Sequence, residues 1–99
     1  MTYSVELSKR SEKYLKSCPS KMRIHLLGQL TALEDSPREQ GIMLHGEWRG
    51  LHRMKLYYKG TQYRAIYEII DNEITVLVLF IDKREGFYET LKRMKIAKR

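Results

Sequence analysis

Residues 51–57, Leu51-His52-Arg53-Met54-Lys55-Leu56-Tyr57, alternate large apolar with cationic side chains, and Tyr58-Lys59-Gly60 comes directly after. That alternation is the mark of a half-buried strand, and Lys59-Gly60 is a hairpin signal because glycine tolerates the positive φ that a primed turn demands. A second strand over 62–70 returns from the turn, and Asp71-Asn72 supplies the next reversal. The third covers 74–81, Ile74-Thr75-Val76-Leu77-Val78-Leu79-Phe80-Ile81. It is β-branched and nearly all apolar, as expected of a central strand covered on both faces.

Register turns this pattern into chemistry. A first hairpin centred between Lys59 and Gly60 sets Lys55 opposite Arg64 and Arg53 opposite Ile66. Side chains alternate with period two, so Arg53, Lys55 and Arg64 share one face while Met54, Leu56, Tyr63, Ala65 and Tyr67 share the other. Centring the second turn on Asp71-Asn72 adds Ile69, Ile74, Val76, Val78 and Phe80 to the Met54 side, which is the expected core. Like charges directly opposed across a strand pair destabilise it by up to about 1 kcal/mol. Two readings of the cationic face therefore stand side by side, ordinary solvation of an outer surface and a site built to hold an anion.

A chain of 99 residues makes one domain with a single modest core. Its formal charge of +7 points to an anionic partner, nucleic acid or an acidic protein. The lone Cys18 excludes an intramolecular disulfide framework and fits a reducing compartment. The opening residues carry no signal-peptide apolar core, and the longest apolar run, 74–81, is too short to span a bilayer, so a cytoplasmic location is expected. His25, His45 and His52 are scattered, and no HExxH, CxxC, GxxxxGK[ST] or GxGxxG motif occurs, so neither a metal nor a nucleotide cofactor is expected.

The flanks complete the architecture. Residues 2–7 alternate as a short strand, Ser8 is an N-cap with Leu7 at the staple position, and 9–17 form a short helix with Tyr14 and Leu15 inward. Pro19 closes it. Ser20 is the next N-cap candidate, after which Met22, Leu26, Leu30 and Leu33 recur at helical spacing with Leu27 widening the stripe, until Asp35-Ser36-Pro37 stops the helix. Ile42, Met43, Leu44 and Trp48 are expected to anchor the loop from Pro37 to Gly50 against the body, Trp48 by packing rather than by stacking on a base. His45 and His52 read as surface or partly packed residues. Beyond the third strand, Phe87, Leu91 and Met94 recur as one helical face, and the tail from Lys92 to Arg99 holds five basic residues in eight positions. The expected fold class is α+β: an N-terminal strand and helical hairpin packed on a small, mainly antiparallel four-stranded sheet, with a C-terminal helix.

Taken in order, Leu44-x-Gly46, Leu51-His52-Arg53-Met54-Lys55, Tyr63-Arg64-x-Ile66-Tyr67-Glu68-Ile69, Val76 to Ile81, Lys83-Arg84 and Tyr88 resemble the RelE/ParE superfamily of bacterial and archaeal toxins from toxin-antitoxin pairs. The resemblance covers nearly the whole chain. RelE-like members cleave messenger RNA in the ribosomal A site, whereas ParE-like members poison DNA gyrase and lack the cleavage residues. The RelE branch has two alternate basic residues on one strand, an arginine early in the next, an arginine after the last strand and a tyrosine in the final helix. Arg53, Lys55, Arg64, Arg84 and Tyr88 match these positions. Arg53 stands where the enterobacterial prototype has lysine, and the spacing from Arg84 to Tyr88 is shorter.

That resemblance implies a ribosome-dependent, metal-free endoribonuclease with no cofactor and no membrane association. Its partners would be a cognate antitoxin, mRNA and ribosomal RNA. RNA cleavage of this kind needs the ribose 2′-OH deprotonated, charge on the pentavalent phosphate stabilised and the 5′-oxygen protonated. Lys55 and Arg64 suit the scissile phosphate, Arg84 the leaving group, and either Tyr88 or Lys55 the base. Lys59, Lys83, Lys92, Arg93 and Lys95 are the expected contacts to RNA and the ribosome. The alternatives are a gyrase-directed toxin without nuclease chemistry and a plain basic nucleic-acid-binding domain.

Overall fold

The computed structural model describes residues 2–83 and 87–94. In chain order these form β1 (Ser4–Leu7), α1 (Lys9–Ser17), α2 (Ser20–Leu30), β2 (Ile42–Met43), β3 (Leu51–Tyr58), β4 (Thr61–Ile70), β5 (Thr75–Lys83) and α3 (Phe87–Met94), with single 3₁₀ turns between several of them. The strands make one sheet in the order β1-β5-β4-β3-β2. Only the β1–β5 pair is parallel. The α+β class holds, but the sheet has five strands rather than the expected four, because Ile42 and Met43 pair with Arg53 and His52 at its outer edge. These two side chains are exposed and do not anchor the loop; Leu44, buried at their end, does.

The hairpin register is the one the sequence predicts, with Lys55 opposite Arg64 and Arg53 opposite Ile66. Lys59 and Gly60 both take positive φ, +49° and +79°, as a primed turn requires. One face of β3 and β4 buries Met54, Leu56, Tyr63, Ala65 and Tyr67 against Leu15, Met22, Leu26, Leu30 and Leu33 of the helical hairpin and the turn after it. Each such fully buried large side chain contributes about 1.5–3 kcal/mol, so the shared burial outweighs any single polar contact in fixing the register. Leu27 does not join the stripe but is 37% exposed, and the α2 cap position is Pro19, with Ser20 already helical.

The expected phase of β5 fails halfway along. Tyr67 pairs with Val78 but Ile66 pairs with Phe80, leaving Leu79 as the extra residue of a β-bulge. The bulge reverses the facing of everything after it. Phe80 therefore leaves the Met54 side for a second cluster with Leu44, Leu51, Ile66 and Leu91, while Ile81 takes its place in the main core. The start of α1 secures this irregularity: Ser8 donates from its hydroxyl to the Leu79 carbonyl (2.6 Å), and the Ser8 N–H and Ser11 hydroxyl donate to the Val78 carbonyl (2.9 and 2.8 Å). Ile74 also departs from expectation. The turn before β5 is longer than Asp71-Asn72, a 3₁₀ turn from Asp71 to Glu73, and Ile74 closes it in the left-handed region (φ +50°) with its side chain partly exposed. Trp48 packs against the second cluster, as expected.

His52 is buried (5% exposed), not superficial, and stacks on Tyr67 with ring centroids 5.3 Å apart. The Tyr67 hydroxyl donates to the Pro37 carbonyl at 2.7 Å, and burial pushes its pKa up to about 12. Gly41 lies against the Tyr67 hydroxyl and the Arg53 main chain. A methyl group there would stand 2.2 Å from the Arg53 carbonyl oxygen and 2.7 Å from the Tyr67 hydroxyl. At the far end of this loop, Arg38 forms two hydrogen bonds to Asp71 (3.1 and 2.5 Å), and the Tyr3 hydroxyl donates to the same carboxylate at 3.0 Å. Those hydrogen bonds hold the Asp71 pKa below its ordinary value.

Two outcomes test this packing. Gly60→Ala meets no atom within 4 Å and costs only the left-handed backbone strain, about 1–2 kcal/mol. Gly41→Ala adds a clash with main chain and should cost more than Gly60→Ala, with urea unfolding as the measurement. The second concerns acid. Burial, and then the nearby Arg38 charge, hold the His52 pKa below its ordinary value, and its Nδ1 has no hydrogen-bond partner among the described residues. The unfolded chain then binds the extra proton first, so stability falls as pH drops through the unfolded value of about 6.5. His52→Phe keeps the stacked ring and removes the proton, so the loss of stability between about pH 8 and pH 5.5 should shrink in this variant. An unchanged pH dependence would assign that loss to other groups.

Candidate active site

The cationic face is built across three strands. Leu44 N–H donates to the Leu51 carbonyl, and both main-chain groups of Tyr57 bond the Gln29 side chain, so the odd-numbered residues of β3 turn their main chain toward the outer edge. Lys55 and Arg64 are thus a pair without hydrogen bonds between them along the ladder. This is the narrower kind, with Cα atoms about 4.5 Å apart and side chains close together. Lys55 is exposed, while Arg53 and Arg64 are half-buried on the same face. Arg53 is flanked by Ile66 and Ile42 and extends the patch toward β2.

On its other side Arg64 faces Asp82. A carboxylate opposite the arginine offsets part of the repulsion from Lys55, and it is also a structural joint. Asp82 Oδ2 accepts from the Thr90 hydroxyl of α3 at 2.7 Å, its Oδ1 accepts from the Lys83 N–H at 2.8 Å, and Arg93 donates to the Thr90 hydroxyl at 3.5 Å. With Leu91 buried in the second cluster, these bonds lay α3 on the cationic face, opposite the helical hairpin. Sequence reasoning missed Asp82 because its facing depends on the bulge at Leu79. Without that extra residue, Asp82 would fall on the core side.

Arg84 and Lys95 lie outside the described residues. Tyr88 falls in the first turn of α3, and its side chain also lies outside them. Lys92 and Arg93 are exposed on α3. Lys83 pairs with Tyr63 at the end of β5, on the other face from Arg64. Lys59 sits in the hairpin turn, its Nζ 5.5 Å from the centre of the Tyr58 ring. Among the described residues no group of three His, Cys, Asp or Glu could hold a metal ion, and no helix is long and apolar enough to cross a membrane.

This arrangement can grip a phosphodiester between a mobile ammonium and a planar guanidinium at adjacent cross-strand positions. No family model matches the chain. It is 30% identical over 97 residues to the mRNA interferase toxin RelE of Escherichia coli (strain K12), spanning 95% of this chain and 99% of that protein. Among solved structures, the free E. coli toxin RelE, as a double mutant, superposes with a TM-score of 0.73 at 28% identity, covering 95% of this chain and 99% of that one. The toxin-antitoxin complex RelBE2 from Mycobacterium tuberculosis gives a TM-score of 0.71 at 26% identity, covering 85% of this chain and 100% of its match. Identity at this level over almost the full length of both chains, together with the shared fold, means that the chain belongs to the RelE family of mRNA interferase toxins.

Proposed function

We propose that this chain is the toxin of a type II toxin-antitoxin pair, acting in the cytoplasm as an endoribonuclease that cuts translated mRNA in the ribosomal A site. The observation that carries the reading is the Lys55–Arg64 pair, two cations opposed on the sheet face away from the helical hairpin in a chain of the RelE family. Attack by the ribose 2′-OH on the adjacent phosphorus forms a pentavalent phosphorane. Expulsion of the 5′-oxygen, which takes up a proton from solvent while the base holds the one from the 2′-OH, then leaves a 2′,3′-cyclic phosphate. Lys55 and Arg64 stabilise the charge that develops on the phosphoryl oxygens, where preorganised donors act most strongly. Arg53 adds positive potential beside them. Arg84 is assigned to the leaving group as an electrostatic donor, since a guanidinium does not give up its proton. The base is Tyr88 or Lys55.

Lys92 and Arg93 on α3 and Lys59 in the hairpin turn extend the positive surface toward ribosomal RNA, with Lys83 and Lys95 as further contacts. A cognate antitoxin carrying an acidic or amphipathic segment would cover this face and silence it. The relatives above are RelE toxins, and the gyrase-directed alternative has no support among them.

The test is primer extension on a translated transcript after induction without antitoxin. Cuts should appear at in-frame codon positions and vanish when the start codon of that transcript is removed. Lys55→Ala and Arg64→Ala should each slow single-turnover cleavage on purified ribosome complexes by on the order of 10²-fold, the usual loss for one transition-state donor. Arg84→Ala should abolish the in-frame cuts. A wild-type chain that arrests growth while leaving the transcript intact would overturn the reading.

A further inference from the structure

Beside the Lys55–Arg64 pair, β3 carries an exposed aromatic ring that the cleavage chemistry does not use. Tyr57 is two residues beyond Lys55, on the same face of the strand, about 6.8 Å along it. More than half of Tyr57 is exposed (53%), and its ring makes no aromatic or cation–π pair among the described residues. Its main chain is held firmly. Gln29 of α2 donates from Nε2 to the Tyr57 carbonyl at 2.7 Å and accepts the Tyr57 N–H at 2.9 Å, closing the open sheet edge at this residue. A flat ring is thus presented to solvent from a fixed backbone, one strand repeat from the proposed phosphate grip.

Behind Tyr57 runs a groove of about 820 Å³ between α2 and the hairpin, lined by Lys21, Ile24, His25, Tyr57, Tyr58 and Lys59 among others. No carboxylate lines it, and two lysines do. His25 and Tyr58 pack ring to ring at 5.4 Å. Tyr57, on the Lys55 face of β3, also lines this groove at the sheet edge, and aromatic rings interleaved with ammonium groups match a single-stranded nucleic acid, whose bases stack on rings while its phosphates pair with lysine. A protein segment adding as a strand is disfavoured here, because Gln29 already occupies the main-chain groups of Tyr57.

We propose that Tyr57 stacks on a base of the mRNA next to the cut, and that the groove behind it takes the flanking strand, with Lys59 and Lys21 on its phosphates. The inference rests on the interferase reading above. It makes Tyr57 a positioning residue, one that seats the strand so that the scissile phosphate lies on Lys55 and Arg64.

The experiment uses ribosomes programmed with short synthetic mRNAs and measures single-turnover cleavage against toxin concentration. Tyr57→Ala should raise the half-saturating concentration about fivefold or more, while the maximal rate stays within about twofold of wild type. Tyr57→Leu keeps apolar bulk without a ring face and should behave like the alanine variant, whereas Tyr57→Phe should restore most of the loss. Abasic replacement of single nucleotides flanking the cut should, at one position, weaken wild type but not Tyr57→Ala. Unchanged half-saturation for Tyr57→Ala with normal wild-type cutting overturns this inference alone. Normal cutting by Tyr57→Ala with weakened binding of the cognate antitoxin also overturns it, giving the groove to the protein partner. Absence of cutting by wild type overturns the interferase reading and this inference with it.

Discussion

The β3–β4 register is the constraint on which the rest depends. It is set by burial of Met54, Leu56, Tyr63, Ala65 and Tyr67 on one face, and by a two-residue turn whose positive φ values match the strand twist. A slip by one residue would carry all five into solvent. The same register forces Lys55 against Arg64 on the other face. The repulsion of such a pair, up to about 1 kcal/mol, is small beside the burial of several large side chains at about 1.5–3 kcal/mol each. The core can therefore hold two cations together at a place where an isolated hairpin would separate them.

The bulge at Leu79 gives the sheet its second working face. By reversing the phase of β5 it moves Phe80 next to Ile66 and builds the small cluster on which Leu91 of α3 sits. It also turns Asp82 toward Arg64 and toward Thr90. One inserted residue thus couples three features: a seat for the C-terminal helix, a carboxylate opposite Arg64, and a joint between them. The start of α1 stabilises it from the other side through Ser8 and Ser11.

The loop between α2 and β3 is held by Leu44 and Trp48 at the second cluster and, nearer α2, by polar and aromatic contacts. The Tyr67 hydroxyl donates to the Pro37 carbonyl, His52 stacks on the Tyr67 ring, and Gly41 leaves room for that hydroxyl. Arg38 ties the loop to Asp71 and Tyr3 at the surface, where such pairs contribute little to stability but limit the directions the loop can take. The outcome is a short outer strand, β2, that blunts part of the sheet edge, with Gln29 blunting the edge again at Tyr57.

The sequence by itself determined the local periodicities and their direct consequences. Alternation in 51–57 and the Lys59-Gly60 turn fixed the hairpin, and hence the meeting of Arg53, Lys55 and Arg64 on one face, because strand facing is set by parity and a tight turn leaves one register. The helical stripe of Met22, Leu26, Leu30 and Leu33 was equally legible, as was the family resemblance. The tertiary structure alone decided the features that hang on a single residue of offset or on long-range burial. The bulge made Phe80 and Ile81 exchange faces, because nothing in a run of apolar residues says which side each will fill. Ile74 entered a left-handed turn that its β-branched side chain disfavours, since the pairing of Ile70 with Thr75 required it. His52 is buried and stacked on Tyr67, a contact that comes from the facing strand and not from its own neighbours in the chain.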